Sequence, residues 1–156
     1  MLQRLRKVFE SFDSHDVRYV VIGGIAAILH GVPRATFDLD ILIENSVDNA
    51  RRLLEALSEA GLGTATLTTP EEVASRPITI FQDLVRIDVQ TQTPGITFDK
   101  AWAGREIMDY RGQKFFVLSR ADLVASKLAA GRPVDLEDVR LLRPPASRDD
   151  AGPSRR

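Results

Sequence analysis

The apolar residues of this chain follow two periods, one typical of helices and one typical of strands. Helical spacing is clear near the start, where Leu5, Val8 and Phe12 recur three or four residues apart. Strand-like runs are short and end at turn-forming residues. The pattern predicts helices over 2–12, 25–30, 47–60, 119–130 and 133–142, and strands over 19–22, 38–43, 78–81, 84–90, 105–110 and 114–118. We therefore expect an α+β fold, with a small mixed β-sheet flanked by helices.

Two segments lie outside this pattern. Residues 61–76 are polar and predict a loop, with a short helix beginning at Pro70. From Pro144 onward the chain is rich in proline, serine and charged residues, a composition typical of disorder. The sequence thus predicts a single domain over residues 1–143, followed by a disordered tail over 144–156.

Composition excludes several classes of protein. The chain has 21 Lys and Arg residues against 22 Asp and Glu, so bulk positive charge does not indicate nucleic-acid binding. It has no cysteine, which excludes disulfides and thiolate chemistry. Its apolar runs are too short to span a bilayer, and the charged start is not followed by the apolar block of a signal peptide. We expect a soluble, cytoplasmic protein that has no contact with a membrane.

The strongest chemical signal is the pair Asp38 and Asp40 within the apolar strand 38–43. Residues two apart in a strand point to the same face, so the two carboxylates should lie side by side. Close carboxylates repel each other unless a proton or a cation lies between them. A polar face on an edge strand is the alternative, although aspartate disfavours strands and the surrounding residues are apolar. The pair therefore predicts a site for a divalent cation such as Mg²⁺.

Several other residues could belong to the same site. Asp88 faces away from the apolar residues of its strand, and it could add a third carboxylate for two ions. Gly23 and Gly24 could let phosphates approach backbone N–H groups, or they could serve only to make a turn. Arg34 and Thr36 precede the acid pair and could contact a nucleotide, or they could form an ordinary capped loop.

Lys127 falls within the apolar stripe of the predicted helix 119–130. Its amine could extend to the surface, or it could reach acids or a triphosphate in a cleft, because an unpaired buried charge is costly. Asp135 and Asp138 lie at the start of the last helix. They could interact with the helix dipole or belong to the same site.

Taken together, Gly23-Gly24, Asp38-x-Asp40 and the later Asp88 resemble the active-site motifs of the nucleotidyltransferase superfamily, which includes DNA polymerase beta. Segments 23–40 and 127–139 are similar to the N-terminal and C-terminal signatures of small bacterial members. Those members include the nucleotidyltransferase toxins of abortive-infection-type toxin–antitoxin systems. The resemblance covers residues 17–142 and implies a nucleotidyltransferase-like fold.

The resemblance also implies roles for individual residues. Asp38, Asp40 and Asp88 would be catalytic and would hold Mg²⁺, with Mn²⁺ as an alternative. The residues that would contact a nucleoside triphosphate (NTP) are Gly23, Gly24, Arg34, Thr36, Lys127 and Asp135. One departure is Gly24, because many relatives have serine at this position, whose hydroxyl would contact phosphate.

The implied reaction moves a nucleoside monophosphate from an NTP to an acceptor hydroxyl and releases pyrophosphate. The acceptor would be a macromolecule, either tRNA or a partner protein, in a toxin–antitoxin setting with a cognate antitoxin. A homodimer would also be consistent with the sequence. The main alternative is a non-catalytic nucleotide-binding or antitoxin-like partner that has kept the fold. A small-molecule nucleotidyltransferase is less well supported, because no second domain is present to form a pocket for the acceptor.

Overall fold

The computed structural model describes residues 2–143, and the tail predicted to be disordered, 144–156, lies outside them. Seven helices, one short 3₁₀ helix and six strands make up this part of the chain. In chain order they are α1 (Leu2–Ser14), β1 (Tyr19–Ile22), α2 (Gly23–Leu29), β2 (Asp38–Ile43), α3 (Val47–Glu59), the 3₁₀ helix (Gly63–Leu67), α4 (Pro70–Ser75), β3 (Ile78–Gln82), β4 (Arg86–Gln90), α5 (Phe98–Ala103), β5 (Glu106–Tyr110), β6 (Gln113–Val117), α6 (Arg120–Ala130) and α7 (Pro133–Leu142).

All six strands form one mixed sheet in the order β3-β4-β2-β1-β6-β5. The pairs β3–β4, β1–β2 and β5–β6 are antiparallel, whereas β2–β4 and β1–β6 are parallel. The strands predicted over 78–81 and 84–90 pair as β3–β4, and those predicted over 105–110 and 114–118 pair as β5–β6. The α+β class and the mixed sheet flanked by helices are confirmed.

The central strands are buried because their side chains are apolar on both faces, except at the start of β2. Every residue of β1 is buried, and Leu39, Ile41 and Ile43 of β2 have no exposed surface. Burial of this layer stabilises the fold by about 25 cal/mol per Å² of apolar surface removed from water. The two acids at the start of β2 are only partly buried and lie at the rim of this core.

Helix α1 packs against this sheet through an aromatic cluster. The ring of Phe9 stacks on that of Phe115 with centroids 4.6 Å apart, and Phe12 lies 4.8 Å from the ring of Tyr19. The amphipathic spacing of α1 therefore buries one stripe of its surface, as the sequence predicts. Side-chain caps fix the beginnings of other helices, as Ser46 does for α3 and Ser119 for α6.

The structure differs from the sequence prediction at three places. Helix α2 begins at Gly23 itself rather than after the glycine pair. The 3₁₀ helix over Gly63–Leu67 and helix α5 over Phe98–Ala103 are not predicted. Both are short, so few turns of apolar periodicity are available to indicate them. The cap of α5 by Thr97, which accepts a hydrogen bond from the backbone N–H of Lys100, is the local signal that could have indicated it.

No helix within residues 2–143 is long and apolar enough to cross a membrane.

Candidate active site

Three carboxylates lie on one face of the sheet where β2 and β4 run side by side. The parallel register places Asp40 directly opposite Asp88, and it places Asp38 opposite Arg86. Residues paired in this way point to the same face, so the predicted third acid does join the pair. The side chain of Asp88 is 13% exposed, whereas that of Asp38 is 45% exposed. This group of Asp38, Asp40 and Asp88 is called the acid cluster below.

The acid cluster carries more negative charge than its surroundings balance. Burial, the neighbouring charges of Asp88 and Asp38 and a hydrogen bond with Asp88 together raise the pKa of Asp40 to about 6, with burial the largest cause. The charge of Arg86 opposes this rise but does not cancel it. A raised carboxyl pKa of this kind marks a position where an added cation would be stabilised.

Arg86 is the cation that lies against the acid cluster. Its Nε donates to Asp88 Oδ1 at 2.9 Å, and its Nη2 donates to Asp88 Oδ2 at 3.4 Å. The same Nε lies 3.8 Å from Asp38 Oδ2. Arg86 thus contacts acids on two neighbouring strands, because it is two residues from Asp88 and paired with Asp38.

Gly23 brings the backbone of α2 against the acid cluster. It has φ +68°, and a Cβ at this position would lie 2.5 Å from Asp40 Oδ2. The residue must therefore be glycine both for its backbone conformation and for its close approach to the carboxylate. Gly24 is different, since a Cβ there would lie 2.9 Å from Nη2 of Arg34, the mobile end of a long side chain.

Substitution of the two glycines should therefore have unequal effects. We expect Gly23→Ala to lower the free energy of unfolding by about 1–2 kcal/mol from backbone strain alone and to displace Asp40. Gly24→Ala should instead raise the free energy of unfolding, by only about 0.5–1 kcal/mol, because alanine is a better helix former and Arg34 can shift. Urea unfolding of both variants measures the difference. Equal effects of the two substitutions would contradict the steric account.

A second charged layer lies across the cleft on α6 and α7. Lys127 is buried, and its Nζ lies 2.7 Å from Asp138 Oδ2 and 3.6 Å from Asp135 Oδ1. Both carboxylates are almost completely buried. The sequence left open whether Lys127 extends to the surface, and the structure shows that it does not. The two acids at the start of α7 are its partners.

Two arginines complete this layer. Arg132 donates to Asp135 from Nε at 2.7 Å and from Nη2 at 3.2 Å. Burial raises the pKa of Asp135, but these hydrogen bonds and the charge of Arg132 outweigh burial, so its pKa is lowered overall. Nη1 of Arg34 lies 3.4 Å from Asp138 Oδ2. We call Lys127, Arg34 and Arg132 the cation layer.

The acid cluster and the cation layer face a common cleft of about 640 Å³. The site residues that the family resemblance implies all line this cleft: Gly23, Gly24, Arg34, Thr36, Asp38, Asp40, Asp88, Lys127 and Asp135. Residues more than 100 positions apart in sequence are thus brought together. Their roles in binding and catalysis remain predictions.

Two residues at this site are missing from the sequence prediction, and a third has only an open role in it. Arg86 lies two residues before Asp88, so strand alternation could have indicated that the two side chains share a face. Arg132 precedes the last helix and contacts Asp135. Asp138 is predicted either as a partner of the helix dipole or as a member of the site, and its burial depends on the packing of α7 against α6, which spacing along the chain does not reveal.

The acid cluster offers only oxygen donors, which suits a hard cation such as Mg²⁺. Within residues 2–143, however, no three Asp, Glu or His side chains are already arranged to hold a metal ion. Arg86 lies against Asp88 and near Asp38 instead. By the chemistry of their oxygens the three carboxylates suit a divalent cation, although their arrangement would have to change to hold one.

Comparisons with known proteins show the fold and the family of the chain. A protein described as "a putative nucleotidyltransferase (TM1012) from Thermotoga maritima" has a similar crystal structure, with a TM-score of 0.57 over 90% of each chain. The two sequences are 20% identical, so this likeness shows a shared nucleotidyltransferase-like fold. A comparison with curated proteins gives no match. Residues 2–142 match the model of the family described as "Nucleotidyltransferase of unknown function (DUF6036)". The chain therefore belongs to this nucleotidyltransferase family.

Proposed function

We propose that the protein is a Mg²⁺-dependent nucleotidyltransferase that moves a nucleoside monophosphate from an NTP to an acceptor hydroxyl. The observation that carries this proposal is the pairing of two layers of opposite charge across one cleft. The acid cluster sets three carboxylates against one guanidinium, that of Arg86. The cation layer sets three cations against two buried carboxylates, Asp135 and Asp138. A metal–triphosphate complex has the charge distribution that such a cleft complements.

The cation layer would bind and orient the phosphates. Lys127 offers an ammonium that two carboxylates hold in place, so little conformational entropy would be lost when it contacts a phosphate. Arg34 and Arg132 offer planar guanidinium groups suited to phosphate oxygens. Thr36 and the backbone at Gly24, which has no Cβ to keep a ligand away, line the same cleft.

The acid cluster would supply the chemistry of transfer. Asp38, Asp40 and Asp88 would hold Mg²⁺ or Mn²⁺, which when bound neutralises phosphate charge and favours ionisation of the acceptor hydroxyl. The acceptor oxygen would form a bond to the α-phosphorus while the bond to the β-phosphate oxygen breaks. Pyrophosphate leaves, and a carboxylate of the cluster accepts the hydroxyl proton. Positioning and charge neutralisation would provide most of the rate increase.

The acceptor is proposed to be a macromolecule, either tRNA or a partner protein. This choice follows from the resemblance of segments 23–40 and 127–139 to small bacterial toxins, and a cognate antitoxin and a cytoplasmic location belong to the same proposal. A homodimer is compatible with it. A non-catalytic nucleotide-binding role is the alternative. The contact between Arg86 and Asp88 favours this non-catalytic role if the guanidinium stays against Asp88 when a ligand binds.

Label transfer tests the proposal directly. Purified protein would be incubated with radiolabelled NTPs, Mg²⁺ and either cell RNA or a protein lysate, beside the double variant Asp38→Ala plus Asp40→Ala. We expect label in a macromolecule with the wild type and none with the double variant. Equal signals from the two proteins would refute the proposal. NTP binding in calorimetry without any transfer would support the non-catalytic alternative.

A further inference from the structure

Arg86 occupies an unusual position for a strand arginine. It begins β4, shares the face of the sheet that carries the acid cluster, and contacts acids on two strands. Its two donors engage both oxygens of Asp88, with Nε at 2.9 Å from Oδ1 and Nη2 at 3.4 Å from Oδ2. The guanidinium of Arg86 therefore lies beside the three carboxylates, where a positive charge reduces their mutual repulsion.

The contact cannot coexist with full use of Asp88 as a metal ligand. The side chain of Asp88 is 13% exposed, so its oxygens have little room for a further partner while Arg86 holds them. Arg86 itself is 36% exposed and stands at the first residue of its strand. Rotation of its side chain toward solvent would free Asp88 without any movement of the sheet.

We propose that Arg86 is the resident counter-ion of the acid cluster and a positioning residue for the metal site. Its guanidinium holds Asp88 in the metal-free protein and must leave Asp88 before a divalent cation binds there. One cation then replaces another, so the negative charge of the acid cluster is partly balanced in both states. Metal binding is correspondingly weaker than three free carboxylates would give. This inference rests on the proposed function, because it assumes that the acid cluster is a metal site.

Binding of Mn²⁺ alone, without nucleotide, tests the inference. We would measure Kd by calorimetry and by electron paramagnetic resonance for the wild type, Arg86→Gln, Arg86→Lys and Arg51→Gln. Arg51 is an exposed arginine of α3, and Arg51→Gln changes net charge by the same amount without touching the acid cluster. We expect Arg86→Gln to bind Mn²⁺ about tenfold more tightly than the wild type, since a hydrogen-bonded charge pair no longer competes.

Two further readouts separate competition from a structural role. Arg86→Lys keeps the charge but loses the two-pronged contact, so its Kd should fall between those of the wild type and Arg86→Gln. In EDTA, Arg86→Gln should unfold at a lower temperature than the wild type, and Mn²⁺ should remove this difference. A residue that only supported the fold would lower the unfolding temperature without tightening Mn²⁺ binding.

The possible failures are distinguishable. If Arg86→Gln binds Mn²⁺ no more tightly than Arg51→Gln, while the wild type still binds, Arg86 does not compete and the inference is overturned alone. If neither the wild type nor Arg86→Gln binds Mn²⁺, the proposed metal site and the inference both fail. Arg86→Lys gives the same comparison if the glutamine variant does not fold.

Discussion

Replacing Asp40 by asparagine should abolish nucleotidyl transfer and at the same time make the metal-free protein more stable. Asp40 is central to the acid cluster, between Asp38 on its own strand and Asp88 on β4. Its loss removes a proposed metal ligand at the reacting centre, and we expect a fall in transfer rate of about 10³-fold or more, similar to the loss of a key charge-stabilising group. The opposite signs of the two effects make this variant informative.

The gain in stability follows from the raised pKa of Asp40, about 6 against an ordinary value of 3.8. The folded state holds this proton more tightly than the unfolded state, so stability falls as pH rises from about 4 to 6 and stays lower above 6. The shift corresponds to about 3 kcal/mol, which we reduce to about 1–2 kcal/mol because the carboxyl is partly exposed. Asparagine has no charge to bury and avoids this cost.

Urea unfolding in EDTA at pH 7.5 and at pH 3.5 measures the effect. We expect Asp40→Asn to be more stable than the wild type at pH 7.5 and the difference to shrink at pH 3.5, where Asp40 is protonated in both states. Asp13→Asn, at an exposed acid of α1, is the matched control and should show neither the gain nor a loss of transfer. A destabilised Asp40→Asn at pH 7.5 would contradict the account of the site as an excess of buried negative charge.

The acid cluster could be predicted because it depends on local rules. Alternation along a strand places Asp38 and Asp40 on one face, and an apolar strand with two acids is rare enough to draw attention. Asp88 joins the pair only because its strand lies beside β2, which spacing along the chain does not show and the structure does. Alternation along the strands and the identity of the turn residues are therefore sufficient to predict most of the acid-cluster side of the cleft.

The cation layer was harder to predict because it depends on how helices pack. Lys127 falls within the apolar stripe of α6, but the sequence leaves open whether its amine extends to the surface and does not identify a partner. That partner is Asp138, brought to 2.7 Å by the contact of α6 with α7. The contact of Arg86 with Asp88 was missed for a different reason. A strand pattern shows which side chains share a face, but it does not show which of them pair when several charges compete.

Substitutions in the buried pair Lys127–Asp138 should show which part of the cation layer serves the fold and which serves the ligand. Asp138→Asn would leave the ammonium of Lys127 with only Asp135, at 3.6 Å. Lys127→Met would leave Asp138 with Arg34, at 3.4 Å. Because each single change leaves a buried charge poorly paired, we expect either one to lower the free energy of unfolding by about 3 kcal/mol.

The double variant Lys127→Met plus Asp138→Asn removes both charges together. It should be much more stable than the sum of the single effects predicts, because replacing a buried ion pair by neutral groups is often close to neutral. Its affinity for NTP should nevertheless stay at least about tenfold below that of the wild type, because the charged hydrogen-bond donor is gone. A structural role alone would restore stability and affinity together.

Urea unfolding and calorimetry with an NTP and Mg²⁺ measure the two quantities on each protein of the cycle. The matched control is the exposed pair Arg140–Glu137 on the same helix, α7, replaced by methionine and glutamine. An exposed pair contributes less than about 1 kcal/mol, so the control should change neither stability nor affinity appreciably. If the double variant of the buried pair bound NTP as tightly as the wild type, Lys127 would be a structural residue. The phosphate contacts would then have to come from Arg34 and Arg132 alone.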